Sequence, residues 1–191
     1  MRTIEIKIYE YEELSNTAKE AALNYFRENE PYHWAEDVIA SINSVVKHFD
    51  FELTNWNFDW TNANRSSFTL KEGSFSDADY DLQGAELKQH LIDAQYLDYK
   101  CQFDQEWKKL LEENCPLTGV CFDDGLLDNI KEFIKNPESI TMEELLTKAI
   151  KKALEDAQTD YEHQGTEEYL KEHFQANDYH FLENGELYLN P

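Results

Sequence analysis

TMEELLTKAIKKALEDAQTDY, residues Thr141–Tyr161, carries the signal of a long helix. Leu145, Leu146, Ala149, Ile150, Ala153, Leu154 and Ala157 recur three and four residues apart, which sets one apolar stripe on a 3.6-residue period. Thr141 followed three residues later by Glu144 is a capping box, in which each side chain satisfies the other's free main-chain N–H. A helix is therefore expected from Thr141 to about Tyr161. On either side of it, Leu126–Ile134 and Thr166–Gln175 read as shorter helices. Nearer the start, Trp34, Val38, Ile42, Val45 and Phe49 share one stripe and predict a helix over about 33–48. Ser15 offers an N-cap to a segment bearing Ala18, Ala22, Tyr25 and Phe26, which Pro31 stops. Residues Gly84 to Asn114 return to helical spacing, and Pro116 and Gly119 punctuate a loop beyond them.

Strand patterns lie between and outside these helices. Ile4, Ile6 and Ile8 alternate with Glu5 and Lys7, the period-two pattern of a half-buried strand. Aromatic and polar residues interleave from Phe51 to Trp60, and short runs at Phe68–Leu70 and Phe75–Leu82 extend this into an expected antiparallel meander. Near the end, Asn184-Gly185 sits between two alternating runs and predicts a hairpin. The expected fold class is α+β: a single antiparallel sheet of N-terminal strand, central meander and C-terminal hairpin, packed with about five to seven helices. No linker or internal repeat separates two halves, so residues 1–191 read as a single acidic domain.

A chain of 191 residues buries roughly 70% of its unfolded surface on folding. Eleven Phe, eleven Tyr and four Trp supply the apolar area for a core. Forty acidic residues against seventeen basic ones leave a net charge of −23. That lies far outside the magnitude of about 2–8 that solubility asks of a small domain. Such a field repels nucleic acid and anionic lipid and attracts basic surfaces, although solubility or a saline setting would also account for it. Cys101, Cys115 and Cys121 are odd in number and lack a C-x-x-C pair, which fits reduced thiols better than a disulfide framework or zinc ribbon. The opening Met-Arg-Thr-Ile-Glu-Ile has no continuous apolar run, so neither a signal peptide nor a membrane span is expected, and the protein is read as working inside a cell.

Several segments taken together carry a resemblance: Thr3–Ser15, Ala18–Ala21, Tyr32-His-Trp34 and Ala176–Gly185. In these the chain resembles a group of small acidic proteins encoded by bacteriophages and prophages, sometimes labelled antitoxin-like. The match covers the first sixty residues and the last sixteen. It implies a phage accessory protein acting in the host bacterial cytoplasm, and it brings no catalytic motif to any position.

Asp77-Ala-Asp79-Tyr-Asp81 reproduces the first three ligand positions of a calcium-binding EF-hand loop. Leu82 then stands where glycine is required and Lys88 where a bidentate glutamate should be, so the segment reads instead as a strand with its aspartates facing solvent. Alternate strand residues are about 6.6–6.8 Å apart, and neighbouring phosphates on one DNA strand are separated by roughly 6–7 Å. A row of carboxylates at that spacing can imitate a row of phosphates. Helical acids three or four apart, at about 5–6 Å, do something similar. Glu155, Asp156, Asp160, Glu162, Glu167, Glu168 and Glu172 form the densest acidic stretch, and Lys171 is the only lysine or arginine from Ala153 onward. With Asp77, Asp79 and Asp81 these are the candidate partner-binding residues. The partner they imply is the basic surface of a host nucleic-acid-binding protein or complex.

Enzymatic patterns are weak. The six histidines show no H-E-x-x-H or H-x-H spacing, and no phosphate loop or nucleophile elbow is present. Asp123-Asp124-Gly125 reads first as a turn and N-cap. The chain is therefore expected to be non-enzymatic and to use no cofactor or metal. A second route to binding is apolar: Trp56, Phe58 and Trp60 share strand parity and would project from one face. A sheet needs one buried side, so that face is first expected to be core.

Overall fold

The computed structural model describes residues 5–73, 81–93 and 122–189. Six α-helices and one two-stranded antiparallel sheet occur among them. The helices are α1 (Asn16–Asn29), α2 (Ala35–His48), α3 (Gly84–Asp93), α4 (Phe122–Lys135), α5 (Met142–Gln164) and α6 (Glu167–Ala176). The strands are β1 (Phe51–Asn57) and β2 (Ser67–Glu72). The chain divides into two compact units, one of residues 1–32 with 160–191 and one of residues 33–159.

Local chemistry explains the helix limits. Ser15 Oγ accepts the Ala18 N–H at 3.3 Å to cap α1, and Thr166 Oγ1 accepts the Tyr169 N–H at 3.3 Å to cap α6. At the start of α5 the capping box is complete: Thr141 N–H donates to Glu144 Oε2 at 2.9 Å, and Glu144 N–H to Thr141 Oγ1 at 3.2 Å. Helix α4 begins at Phe122, earlier than expected, so Gly125 lies inside the helix and not in a turn before it. A Cβ at Gly125 would run into the Asp156 carboxylate, so absence of a side chain lets α4 pass close to α5.

In the first unit the core is Tyr11, Leu14, Ala18, Ala22, Leu23, Phe26, Leu170, Phe174 and Phe181. Helices α1 and α6 supply most of it. Phe174 lies 4.7 Å from the Phe26 ring, 5.3 Å from Tyr11 and 5.1 Å from Phe181, all in tilted or edge-on geometries that suit the ring quadrupole. In the second unit α2 buries Val38, Ile42, Val45 and Val46 and packs on β1 and α4. The apolar stripe of α5 is buried as its period requires, from Leu145 to Ala157.

The sheet is smaller than the strand patterns predict. Strands β1 and β2 pair from Phe51–Glu72 to Asn57–Ser67, and Phe51, Leu53 and Leu70 are their buried residues. The run at 75–82 falls outside the described residues except Asp81 and Leu82, which are not in a strand. The expected N-terminal strand is not formed at residues 5–8, and the C-terminal hairpin does not join the sheet. Both are reduced to isolated bridges, Tyr9 with Phe181 and Phe181 with Leu187. The hairpin itself is present in miniature: Leu182 N–H donates to Glu186 O at 2.8 Å and Tyr188 N–H to His180 O at 2.8 Å. Continuing the Tyr9–Phe181 register would put Lys7 opposite Glu183. The Leu182–Gly185 turn has already begun there, with Gly185 N–H on Leu182 O at 2.9 Å, so the ladder ends after one pair.

Candidate partner-binding surfaces

The boundary between the units falls between Thr159 and Asp160, within α5. It divides the candidate acids. Asp160, Glu162, Glu167, Glu168 and Glu172 belong to the first unit, and Asp81, Glu155 and Asp156 to the second. Asp77 and Asp79 lie outside the described residues.

Per residue the first unit is the more acidic. It holds fifteen acids against five bases, a net −10 in 64 residues, while the other 127 hold twenty-five against twelve, a net −13. Three of its five bases are engaged within the unit. Lys19 Nζ reaches Glu12 at 3.3 Å and sits 5.3 Å from the centre of the Tyr11 ring. Lys171 pairs with the same Glu12. Arg27 donates from Nε to Gly165 O at 2.8 Å and lies 3.5 Å from Glu20. Lys171, with Lys19 second, holds the Glu12 carboxyl below the usual carboxylate range.

The acids of this unit differ in what they touch. Glu168 and Glu172 are exposed and one turn apart on α6, so their Cβ atoms are about 5–6 Å apart, close to a phosphate spacing. Glu162 is also exposed. Glu167 accepts the Tyr11 hydroxyl at 3.1 Å. Asp160 is half-buried, accepts Gln164 Nε2 at 2.6 Å and faces the buried Tyr32 hydroxyl. Burial first, and then the neighbouring carboxylates, push the Tyr11 and Tyr32 phenols well above their ordinary value. Asp160 and Glu167 thus have internal work, and Glu168 and Glu172 present charge outward.

In the second unit Asp156 pairs with Lys152 at 2.6 Å, which raises the lysine above its ordinary value. Asp81 and Glu155 are exposed. Glu155 borders a cleft of about 190 Å³ shared with Ala63, Asn64, Ser66, Phe68, Lys151 and Leu154. The turn beside this cleft is anchored by Ala63 N–H donating to Gln158 Oε1 at 2.8 Å.

The aromatic residues of the β1–β2 connection form a second surface. Asn55 takes φ +47°, and the register slips between Thr54 and Asn57. This bulge sets two residues, Asn55 and Trp56, against one on β2 and re-aims the strand. Trp56 stacks on Phe58 at 5.1 Å, and Phe58 meets Trp60 at 5.8 Å and Phe68 at 6.3 Å, both edge-on. The expectation that this face is core is only partly met, since Trp56 remains 44% exposed. Asp59, held low first by the Thr61 hydroxyl, ties the turn that follows.

Strand and helix spacing missed a further feature. A cleft of about 140 Å³ in the first unit is lined by Glu10, Glu12 and Asp178 together with Tyr11, Phe174 and Tyr179. The two groups are more than 160 positions apart in the chain, and the Tyr9–Phe181 bridge together with the packing of Tyr11 on Phe174 brings them together. Among the described residues no group of three or more His, Cys, Asp or Glu is placed to hold a metal ion, and no helix is long and apolar enough to cross a membrane.

Fold and surface define a helix-rich α+β protein whose two compact units are both acidic, the smaller one more densely so. No family model, curated protein or solved structure matches the chain.

Proposed function

We propose that the protein acts by direct binding, as a phage-encoded inhibitor of a host defence nuclease or another nucleic-acid-binding complex, of the anti-CRISPR or anti-restriction type. Its acidic surface stands in for a phosphate backbone in a basic groove, within the host bacterial cytoplasm. One observation carries this reading: the first unit uses three of its five bases on its own acids and carbonyls and keeps Glu168 and Glu172 exposed at near-phosphate spacing. The resemblance to acidic phage and prophage proteins supports the setting.

The test is capture of partners from a bacterial lysate, nuclease-treated or not, at about 0.05 M and about 0.5 M salt, where screening separates charge-driven contacts from apolar ones. The expected partner is a nucleic-acid-binding protein that is released by the higher salt and by excess duplex DNA. Charge reversal of Glu168 and Glu172 weakens its capture. A partner retained at high salt with its nucleic acid still bound overturns mimicry.

The exposed Trp56 stack favours a second reading, an antitoxin-like or regulatory protein that anchors its partner on aromatic rings. Under that reading Trp56→Ala abolishes capture without unfolding the protein, and reversing the α6 acids changes little.

A further inference from the structure

Glu5, Ile6, Lys7 and Ile8 alternate as a half-buried strand does, yet Ile6 is 55% and Ile8 42% exposed. About half of each of these two side chains is therefore left open to solvent. Among the described residues the segment's only ladder contact is at its end, where Tyr9 N–H donates to Phe181 O at 2.9 Å and Phe181 N–H to Tyr9 O at 2.8 Å. Both main-chain groups of Tyr9 therefore point towards Phe181. In an extended chain these groups alternate sides, so with residues 5–8 extended those of Ile6 and Ile8 point away from Phe181, to an edge where no main-chain hydrogen bond among the described residues reaches them. Neither Glu5 nor Lys7 has a side-chain partner among the described residues.

We infer that this edge pairs with the same edge of a second copy of the chain, antiparallel and centred on Ile6. A two-fold axis there sets Ile6 against Ile6, and it sets Glu5 of each copy against Lys7 of the other. Ile6 makes the ladder hydrogen bonds. The two Glu5–Lys7 pairs then occupy non-hydrogen-bonded positions, where Cα atoms approach to about 4.5 Å and side chains interact most closely. The occupant is chosen by this self-complementarity: the register that sets Ile6 beside Ile6 also pairs every charge in its immediate neighbourhood. The segment holds one acid and one base, so it is also a place where two chains of net charge −23 meet with little local repulsion. An exposed apolar edge left unpaired is an aggregation hazard, and symmetric pairing removes it. The inference is independent of the acidic surface, and salt separates the two, since this contact survives the screening that releases a cationic partner.

Sedimentation velocity of the full chain over a concentration series, in about 0.15 M salt where the Debye length is about 8 Å, tests it. The expected result is a reversible monomer–dimer equilibrium. Lys7→Glu sets glutamate against Glu5 twice and raises the dissociation constant roughly tenfold or more. The exchange Glu5→Lys with Lys7→Glu restores the dimer at unchanged net charge, whereas Lys135→Glu, the same charge change on an exposed residue of α4, has no effect. Equal melting temperatures across the variants, measured at concentrations where all are monomeric, establish that the fold is intact. A wild-type chain that stays monomeric throughout overturns the inference, even if another protein attaches to this edge. So does a dimer that Lys7→Glu leaves unchanged or that the exchange fails to restore.

Discussion

Tyr11 and Tyr32 show how a single side chain couples the core to the charge around it. Both rings are buried, and both hydroxyls face a carboxylate, Glu167 and Asp160 respectively. Ionising either phenol would bury a negative charge beside another, so the folded state holds both protonated above their ordinary value of 10.0. A folded pKa raised above the unfolded one gives stability that is fully present below the unfolded value and is lost as pH rises above it. The protein is therefore expected to lose stability from about pH 10 upward, where exposed phenols begin to ionise. In a spectrophotometric titration these two tyrosines should ionise only as the chain unfolds, and Tyr11→Phe and Tyr32→Phe should each remove part of the alkaline transition. Ionisation of all eleven tyrosines in one step with the fold intact would contradict this.

At the scale of elements, the C-terminal turn depends on α1. Gly185 has φ +89°, a conformation that side-chain-bearing residues rarely adopt, and a Cβ there would collide with the Ala18 carbonyl oxygen. The turn thus closes directly onto the backbone of the first helix, and Phe181 beside it is fully buried in the core. Gly185→Ala is expected to cost about 2 kcal/mol or more, through strain and overpacking together. Chemical denaturation with an unchanged m value would measure it. Asn184→Ala provides the comparison: it removes the side-chain oxygen that accepts the Glu186 N–H at 3.1 Å and leaves the close approach untouched. Its cost should be smaller, about 0.5–1.5 kcal/mol, as expected for one hydrogen bond.

For the molecule as a whole, the charge excess opposes compaction, because −23 is confined to a folded volume. The ion pairs that offset it are mostly exposed: the Lys148–Glu138 and Lys71–Glu52 side chains, for example, are all more than half accessible. Exposed pairs of this kind contribute about 0–1 kcal/mol each. Added salt should therefore raise the melting temperature by screening repulsion more than it weakens these pairs, with most of the gain reached by about 0.5 M. Calorimetry across a salt series measures this, and a melting temperature that falls with salt would show that attractive pairs dominate.

Helix positions were legible from sequence because they rest on local physics. The Thr141–Glu144 box, the Ser15 and Thr166 caps and the stripe from Leu145 to Ala157 involve residues within a turn or two of one another. The acidic excess was legible as well, since it is a sum over residues. Sheet pairing was not, because a strand pattern states which face is apolar but not whether a neighbour continues beside it. Residues 5–8 keep the alternation of a strand and lack the ladder, because Leu182–Gly185 turns away after one pair. Tertiary structure likewise decided which carboxylates remain outward. Glu167 was drawn to Tyr11 and Lys171 to Glu12 by contacts between elements, and Glu168 and Glu172 were left facing water. Periodicity and composition act along the chain, so the sequence determined helices and net charge by itself. The direction of each charge and the pairing of each strand depend on neighbours distant in sequence, and only the folded arrangement supplies them.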